Sequence, residues 1–163
     1  MGKYAKDVSF LGVLTALYVA LCMAVAPLSF GALQFRVAEV LIVLPFYNKK
    51  CSISIILGTF IANFIGPYGI IDAVVGSSAS ALVCLVIILV KSRLVIAPAA
   101  AVINGGMIGA MLYIAVIPEP PALIILMASV AVSCFIVALI GVLAFTGIEK
   151  TNPKLIDMIK NKL

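Results

Sequence analysis

The chain has 163 residues, 65% of them hydrophobic and 10% charged, with a net charge of +5. That balance excludes a soluble domain and belongs to an integral membrane protein. At about 20 residues per span, the length holds roughly five to seven helices, with no room for a soluble catalytic domain.

Residues 1–8 form a short polar lead carrying Lys3 and Lys6. The first helix is predicted over residues 9–26 and stops at Pro27; a loop, Leu28-Ser29-Phe30-Gly31, follows. The second helix is predicted over 34–47, before the break at Asn48-Lys49-Lys50. The third spans 51–65 and ends in a Gly-Pro-Tyr-Gly turn at 66–69, a strong turn signal. The fourth covers 70–90 and is closed by Lys91-Ser92-Arg93. The fifth covers 94–117, with Pro98 in its first turns, where a lost backbone donor is best tolerated. Residues 118–121, Pro-Glu-Pro-Pro, make a rigid turn before the sixth helix at 122–147. The basic tail, 148–163, spaces Leu155, Ile156, Met158 and Ile159 as an amphipathic helix on the membrane surface would. The expected architecture is therefore an all-α integral membrane protein, one six-helix domain over residues 1–163.

Six spans place both termini on one side. Of the eleven Lys and Arg, ten then fall on the terminal side, and Arg36 alone falls on the other. This asymmetry makes both termini cytoplasmic. Glu39, Asp72 and Glu119 lie in the outer half, whereas Asp7, Glu149 and Asp157 are cytoplasmic.

The second predicted helix holds Gln34, Arg36 and Glu39 in an otherwise apolar run. A charge inside a bilayer costs at least ~2.5 kcal/mol, so such a pair points to a functional site. The predicted topology puts Asn63, Asp72, Gly76, Ser77, Ser80, Asn104 and Tyr113 in the same half of the membrane, with Phe30, Phe35, Phe64 and Tyr68 at the same level. Lipid offers polar groups no partners. A few polar groups beside aromatic faces describe a pocket for a flat, polar small molecule. Each residue also has a purely structural reading. Arg36 and Glu39, spaced i,i+3, can pair on one helix face. Asn63 and Asn104 can bridge helices, Asp72 can cap the fourth helix, and the aromatics can form an interfacial belt.

Gly12, Ala16, Ala20 and Ala24 recur every four residues on the first helix. Small-x-x-x-small faces let helices approach closely, either inside this chain or against a partner. Gly105, Gly106 and Gly109 on the fifth helix have the internal character. His is absent, which removes the commonest catalytic base and metal ligand. Cys22, Cys51, Cys84 and Cys134 lie in separate apolar segments, as buried small hydrophobes do. No metal site and no cofactor is expected, nor any G-x-x-x-x-G-K-[ST] phosphate loop. An intramembrane enzyme is disfavoured by the same absences.

These residues resemble the S-components of energy-coupling factor (ECF) transporters, on the six helices, the cytoplasmic termini and the Ala16-x-x-x-Ala20 motif. The stretches LSFGALQFRVAEVLIVLPF (28–46) and IANFIGPYGIIDAVVGS (61–77) resemble the QueT family more specifically. The resemblance implies a substrate-binding subunit that captures a queuosine precursor, a 7-deazaguanine, outside the cell. It implies docking through the Gly12, Ala16, Ala20 and Ala24 face onto a shared membrane subunit driven by two ATPases, with ATP used only by those partners. It further implies that the subunit topples in the membrane to deliver its cargo. In that frame Glu39 accepts from the guanine-like edge, and Asn63 reads a ring nitrogen or the carbonyl. Arg36 orients Glu39 or faces the ligand carbonyl; Phe30, Phe35 or Tyr68 stacks on the ring. Asp72 or Glu119 meets the cation of an aminomethyl precursor, and the 28–31 loop is a lid. The competing readings are a stand-alone facilitator, an S-component for another vitamin-like molecule, and a structural membrane subunit without a ligand.

Overall fold

A computed structural model describes residues 2–31, 34–115 and 122–161. The predicted turn at 118–121, Glu119 included, lies outside them. The described residues are helical almost throughout. Helix α1 runs Lys3–Ala24, and the chain breaks at Val25 (φ −124°, ψ 39°). Pro27 opens the one-turn α2, Ala26–Ser29; proline suits a first turn, where its missing N–H is not needed. The loop predicted at 28–31 is thus half helical turn.

The second predicted helix is not one helix. Residues 34–36 are non-helical, Val37–Val43 is a 3-10 helix, and only Leu44–Tyr47 (α3) is α-helical. Pro45 supplies a local reason. In a continuous α-helix its ring would strike the carbonyl four residues back, at Leu41. The backbone tightens instead, and the Leu44 N–H donates to the Leu41 carbonyl. A 3-10 run of seven residues is long for such a strained form, and runs of this kind mark functional segments.

The remaining helices follow the predicted order: α4 (Cys51–Ile65), α5 (Gly69–Val90), α6 (Arg93–Ala115), α7 (Ala122–Thr151) and α8 (Pro153–Asn161). The last is the tail helix, set with Ile156 and Ile159 buried and Leu155 and Met158 exposed. Among the described residues, four helices are long and apolar enough to cross a membrane: Tyr4–Ala24, Gly69–Val90, Arg93–Ala115 and Ala122–Thr151. The apolar stretches Val37–Tyr47 and Cys51–Ile65 are shorter.

Packing closes a ring. α1 lies on α4, α4 on α5, α5 on α6 and α6 on α7; the 3-10 segment then fits between α7 and α1. Glycines permit close approaches on both sides of the ring. A Cβ at Gly141 of α7 would strike the Val40 carbonyl of the 3-10 segment, and one at Gly58 of α4 would lie 2.8 Å from the Tyr18 side chain. Gly105 and Gly109 serve α6 against α7 in the same way, while Gly106 faces open space. Tyr18, Ile42, Ile55, Ile87, Ile96 and Val130 form the fully buried interior. Large apolar side chains also cover the outside, with Leu89 70%, Leu94 87%, Val102 74% and Ile124 73% exposed. A soluble protein does not carry such a surface; a bilayer covers it.

Polar contacts gather at one end of the bundle. Lys50 pairs with Asp7 at 3.0 Å, Lys160 with Glu149 at 3.2 Å, and Arg93 also pairs with Glu149. The Asn48 amide donates to the Ile159 carbonyl at 3.0 Å, which ties α8 beneath the α3–α4 turn. The start of α1, the α3–α4 and α5–α6 turns and the end of α7 therefore share this end.

Candidate functional site

The site is built where the chain enters the 3-10 segment. Gln34 has a left-handed backbone (φ 49°), a conformation that costs a non-glycine residue about 1 kcal/mol. The Arg36 N–H donates to the Gln34 carbonyl at 2.9 Å, so the chain turns sharply around Phe35. This turn aims the buried Gln34 and Arg36 side chains inward. Arg36 Nε and Nη2 donate to Gln34 Oε1 at 3.1 and 2.8 Å.

Helix α5 brings the counter-charge. Arg36 Nη2 donates to Asp72 Oδ1 at 3.1 Å, and α4 contributes Asn63, whose Nδ2 donates to the Asp72 carbonyl and to Oδ1 at 2.9 and 3.2 Å. All four side chains are buried. Gly76 lies one turn along α5 from Asp72. A Cβ there would collide with Asn63 Nδ2 and come within 3.4 Å of Arg36 Nη1, so a bare backbone makes room for the network.

Glu39 stands one turn further along the 3-10 segment, also buried. The i,i+3 pairing with Arg36 does not form. Arg36 is turned to Asp72, while Glu39 Oε1 accepts from the Tyr18 hydroxyl of α1 at 2.9 Å. The reason lies in Arg36's backbone. With φ −83° and ψ 97° it precedes the helix, so its side chain leaves in a direction no helical residue shares. Asp72, expected to meet a ligand cation, is engaged by Arg36 and Asn63. It is no helix cap either, since Tyr68 occupies that position.

Sequence reasoning missed Tyr18. A signal existed: two residues beyond Ala16, a side chain points about 200° around the helix, away from the small-residue face. Asn104 of α6 is buried and donates to Cys134 Sγ of α7 at 3.5 Å. Tyr113 is half-buried against the core. Phe30 is buried, Phe35 half-buried, and the Tyr68 hydroxyl donates to the Phe30 carbonyl at 3.4 Å. Phe64 leaves this company, being 56% exposed.

Buried side-chain atoms without a hydrogen-bond partner among the described residues include Gln34 Nε2, Glu39 Oε2 and Asn63 Oδ1 beside Arg36, and Asn104 Oδ1 on α6. An unmet buried donor or acceptor costs about 1–3 kcal/mol, so several at one place mark a site that a polar ligand or water completes. Together they offer one donor and three acceptors.

The small-residue face of α1 points outward. Gly12, Ala16, Ala20 and Ala24 are all exposed. The first three line an apolar groove of about 730 Å³ whose opposite wall is Ile53, Leu57 and Ile61 of α4.

An apolar helical bundle with lipid-facing side chains and a buried polar cluster is a multi-pass membrane protein. Residues 8–150 match the family described as QueT transporter, and the chain belongs to that family. A 72-residue stretch is 38% identical to the queuosine precursor transporter QueT of Lactococcus lactis subsp. cremoris (strain MG1363), covering 43% of this chain. The match spans 42% of that relative's length. No solved structure matches the chain.

Proposed function

We propose that this chain is the substrate-binding membrane subunit of an ATP-driven, ECF-type importer, and that it captures a queuosine precursor, a 7-deazaguanine such as preQ1, preQ0 or queuine. The observation that carries this reading is the set of unpartnered buried atoms around Arg36. A guanine-like edge presents two adjacent donors, N1–H and the exocyclic amine, beside a carbonyl acceptor. Glu39 Oε2 and Asn63 Oδ1 answer the donors; Gln34 Nε2 answers the carbonyl. A carboxylate has about four acceptor sites, so Tyr18 leaves Glu39 free to take a bidentate edge. Arg36 holds the Gln34 carbonyl oxygen, which turns the amide nitrogen to the ligand. Phe30, Phe35 and Tyr68 supply ring faces, with the 28–31 segment as lid.

In this reading the chain is one membrane domain crossing six times, with both termini cytoplasmic; the outer crossing ends carry the ligand site. The exposed face of Gly12, Ala16, Ala20 and Ala24 supports docking onto a shared membrane subunit, and ATP is used by that module's two ATPases. The site and the groove lie on opposite sides of α1, so binding and docking are separable.

Calorimetry on the detergent-purified chain tests the ligand. A 7-deazaguanine binds, guanosine competes poorly, and Glu39→Gln weakens binding by about tenfold to a hundredfold, the loss of a charge-assisted hydrogen bond. Absence of binding by preQ0, preQ1 and queuine alike overturns the substrate. Co-purification of ATPase subunits with the tagged chain separates an importer subunit from a stand-alone facilitator.

A further inference from the structure

At the ion-pair-rich end of the bundle, Lys50, Arg93 and Lys160 each have an acidic partner. Lys49 and Lys91 have none among the described residues. Both are exposed, and both line one crevice of about 370 Å³ between α3 and α5. Its other walls are Pro45, Phe46, Ile87 and Ile88, with no Asp or Glu among the described lining residues. We infer that this crevice binds an anionic phospholipid, its phosphate between the two ammonium groups and its first acyl segment on the apolar walls.

Three observations support it. The crevice joins two cations to an apolar floor at the level where the turns close the bundle, which is where headgroups meet acyl chains. Basic pockets between membrane helices are recognised sites for anionic headgroups. One turn deeper on α5 from the crevice residue Ile88, Leu85 is 50% exposed and prolongs the apolar wall. Lastly, Lys91 holds a left-handed backbone, φ 52° and ψ 36°. Glycine fills that helix-ending position with least strain; lysine brings a charge to the crevice despite it. A cation at a helix C-terminus also favours the helix dipole, but that effect changes stability and carries no lipid selectivity.

The test is lipid retention by native mass spectrometry. The detergent-purified chain is titrated with phosphatidylglycerol and with phosphatidylcholine. The expected result is preferential retention of phosphatidylglycerol. Each near-surface lysine contributes about fivefold to anionic-lipid affinity, so Lys49→Gln with Lys91→Asn lowers it about thirtyfold. Asparagine tolerates the left-handed backbone at 91, and each single variant, with about a fivefold loss, serves if the double variant does not fold. Lys150→Gln with Lys154→Gln, elsewhere on the basic end, leaves retention unchanged. Equal retention of the two lipids, an unaffected double variant, or an equal loss in the control pair overturns the site. Glycerol 3-phosphate is the last arm: if it displaces the lipid at equal concentration, the crevice takes soluble phosphate esters and the lipid assignment is wrong.

Discussion

The Arg36 guanidinium, at the mouth of the 3-10 segment, reaches the Asp72 carboxylate on α5 with Nη2 and Oδ1 3.1 Å apart, and both groups are buried. This pair fastens the 3-10 segment and the turn before it to the α4–α5 hairpin. Removing one partner leaves the other charge buried alone, a loss of about 3–5 kcal/mol. Arg36→Met and Asp72→Asn should each destabilise the protein severely. The double variant should lose clearly less than the sum, as read by thermal unfolding in detergent. Additive losses would mean that the two charges act independently.

Tyr18→Phe deletes a hydroxyl and keeps the ring that packs against Gly58. It strips Glu39 Oε1 of its one bond among the described residues, so neither carboxylate oxygen would have a partner among them. The expected stability loss is about 1–3 kcal/mol, seen as a lower unfolding midpoint. If Glu39 meets the edge of a 7-deazaguanine as proposed, the added compound should restore part of that midpoint.

Gly76→Ala places a methyl group against Asn63 Nδ2 and near Arg36 Nη1. Overpacking of this kind costs about 1–3 kcal/mol. The collision is with one side chain, which predicts a specific rescue. Asn63→Ala with Gly76→Ala should unfold later than Gly76→Ala alone, even though the double variant has lost both hydrogen bonds to Asp72. Ligand affinity should stay low in both. If the second substitution brings no recovery, the crowding lies elsewhere than at Asn63.

Composition and apolar runs were enough to read an all-helical membrane protein, because lipid leaves a chain few other ways to satisfy its backbone. Helix ends at the 66–69 turn and Lys91 were equally legible, since glycine, proline and charge punctuate locally, whereas Pro27, expected to stop the first helix, instead sits in the first turn of α2. The 3-10 segment was not. Its apolar spacing fits either helix, and only Pro45 hinted at the change. Gln34, Arg36, Asn63 and Asp72 were all named from sequence, yet their pairing was misjudged. The i,i+3 rule takes both residues as helical, whereas Arg36 sits before the helix and its partner is 36 residues away. Tyr18 was missed for a different reason. A tyrosine in an apolar helix looks like core until the opposite face is known to point outward.

That outward face yields the last prediction. Ala16 and Ala20 are exposed and line the groove against Ile53, Leu57 and Ile61, while Tyr18 points to the other side of α1. A bulky side chain at 16 or 20 fills the groove without entering the polar cluster. Ala16→Trp and Ala20→Trp should therefore leave 7-deazaguanine affinity and the unfolding midpoint within error of the parent chain. In cells the same variants should lose uptake and fail to co-purify with ATPase subunits. Helix packing through small residues needs backbones in close contact, and one indole is enough to hold two helices apart. Intact uptake in both variants would remove this face from docking. Loss of ligand binding along with uptake would instead mean that the groove supports the fold, and the partner would have to dock elsewhere.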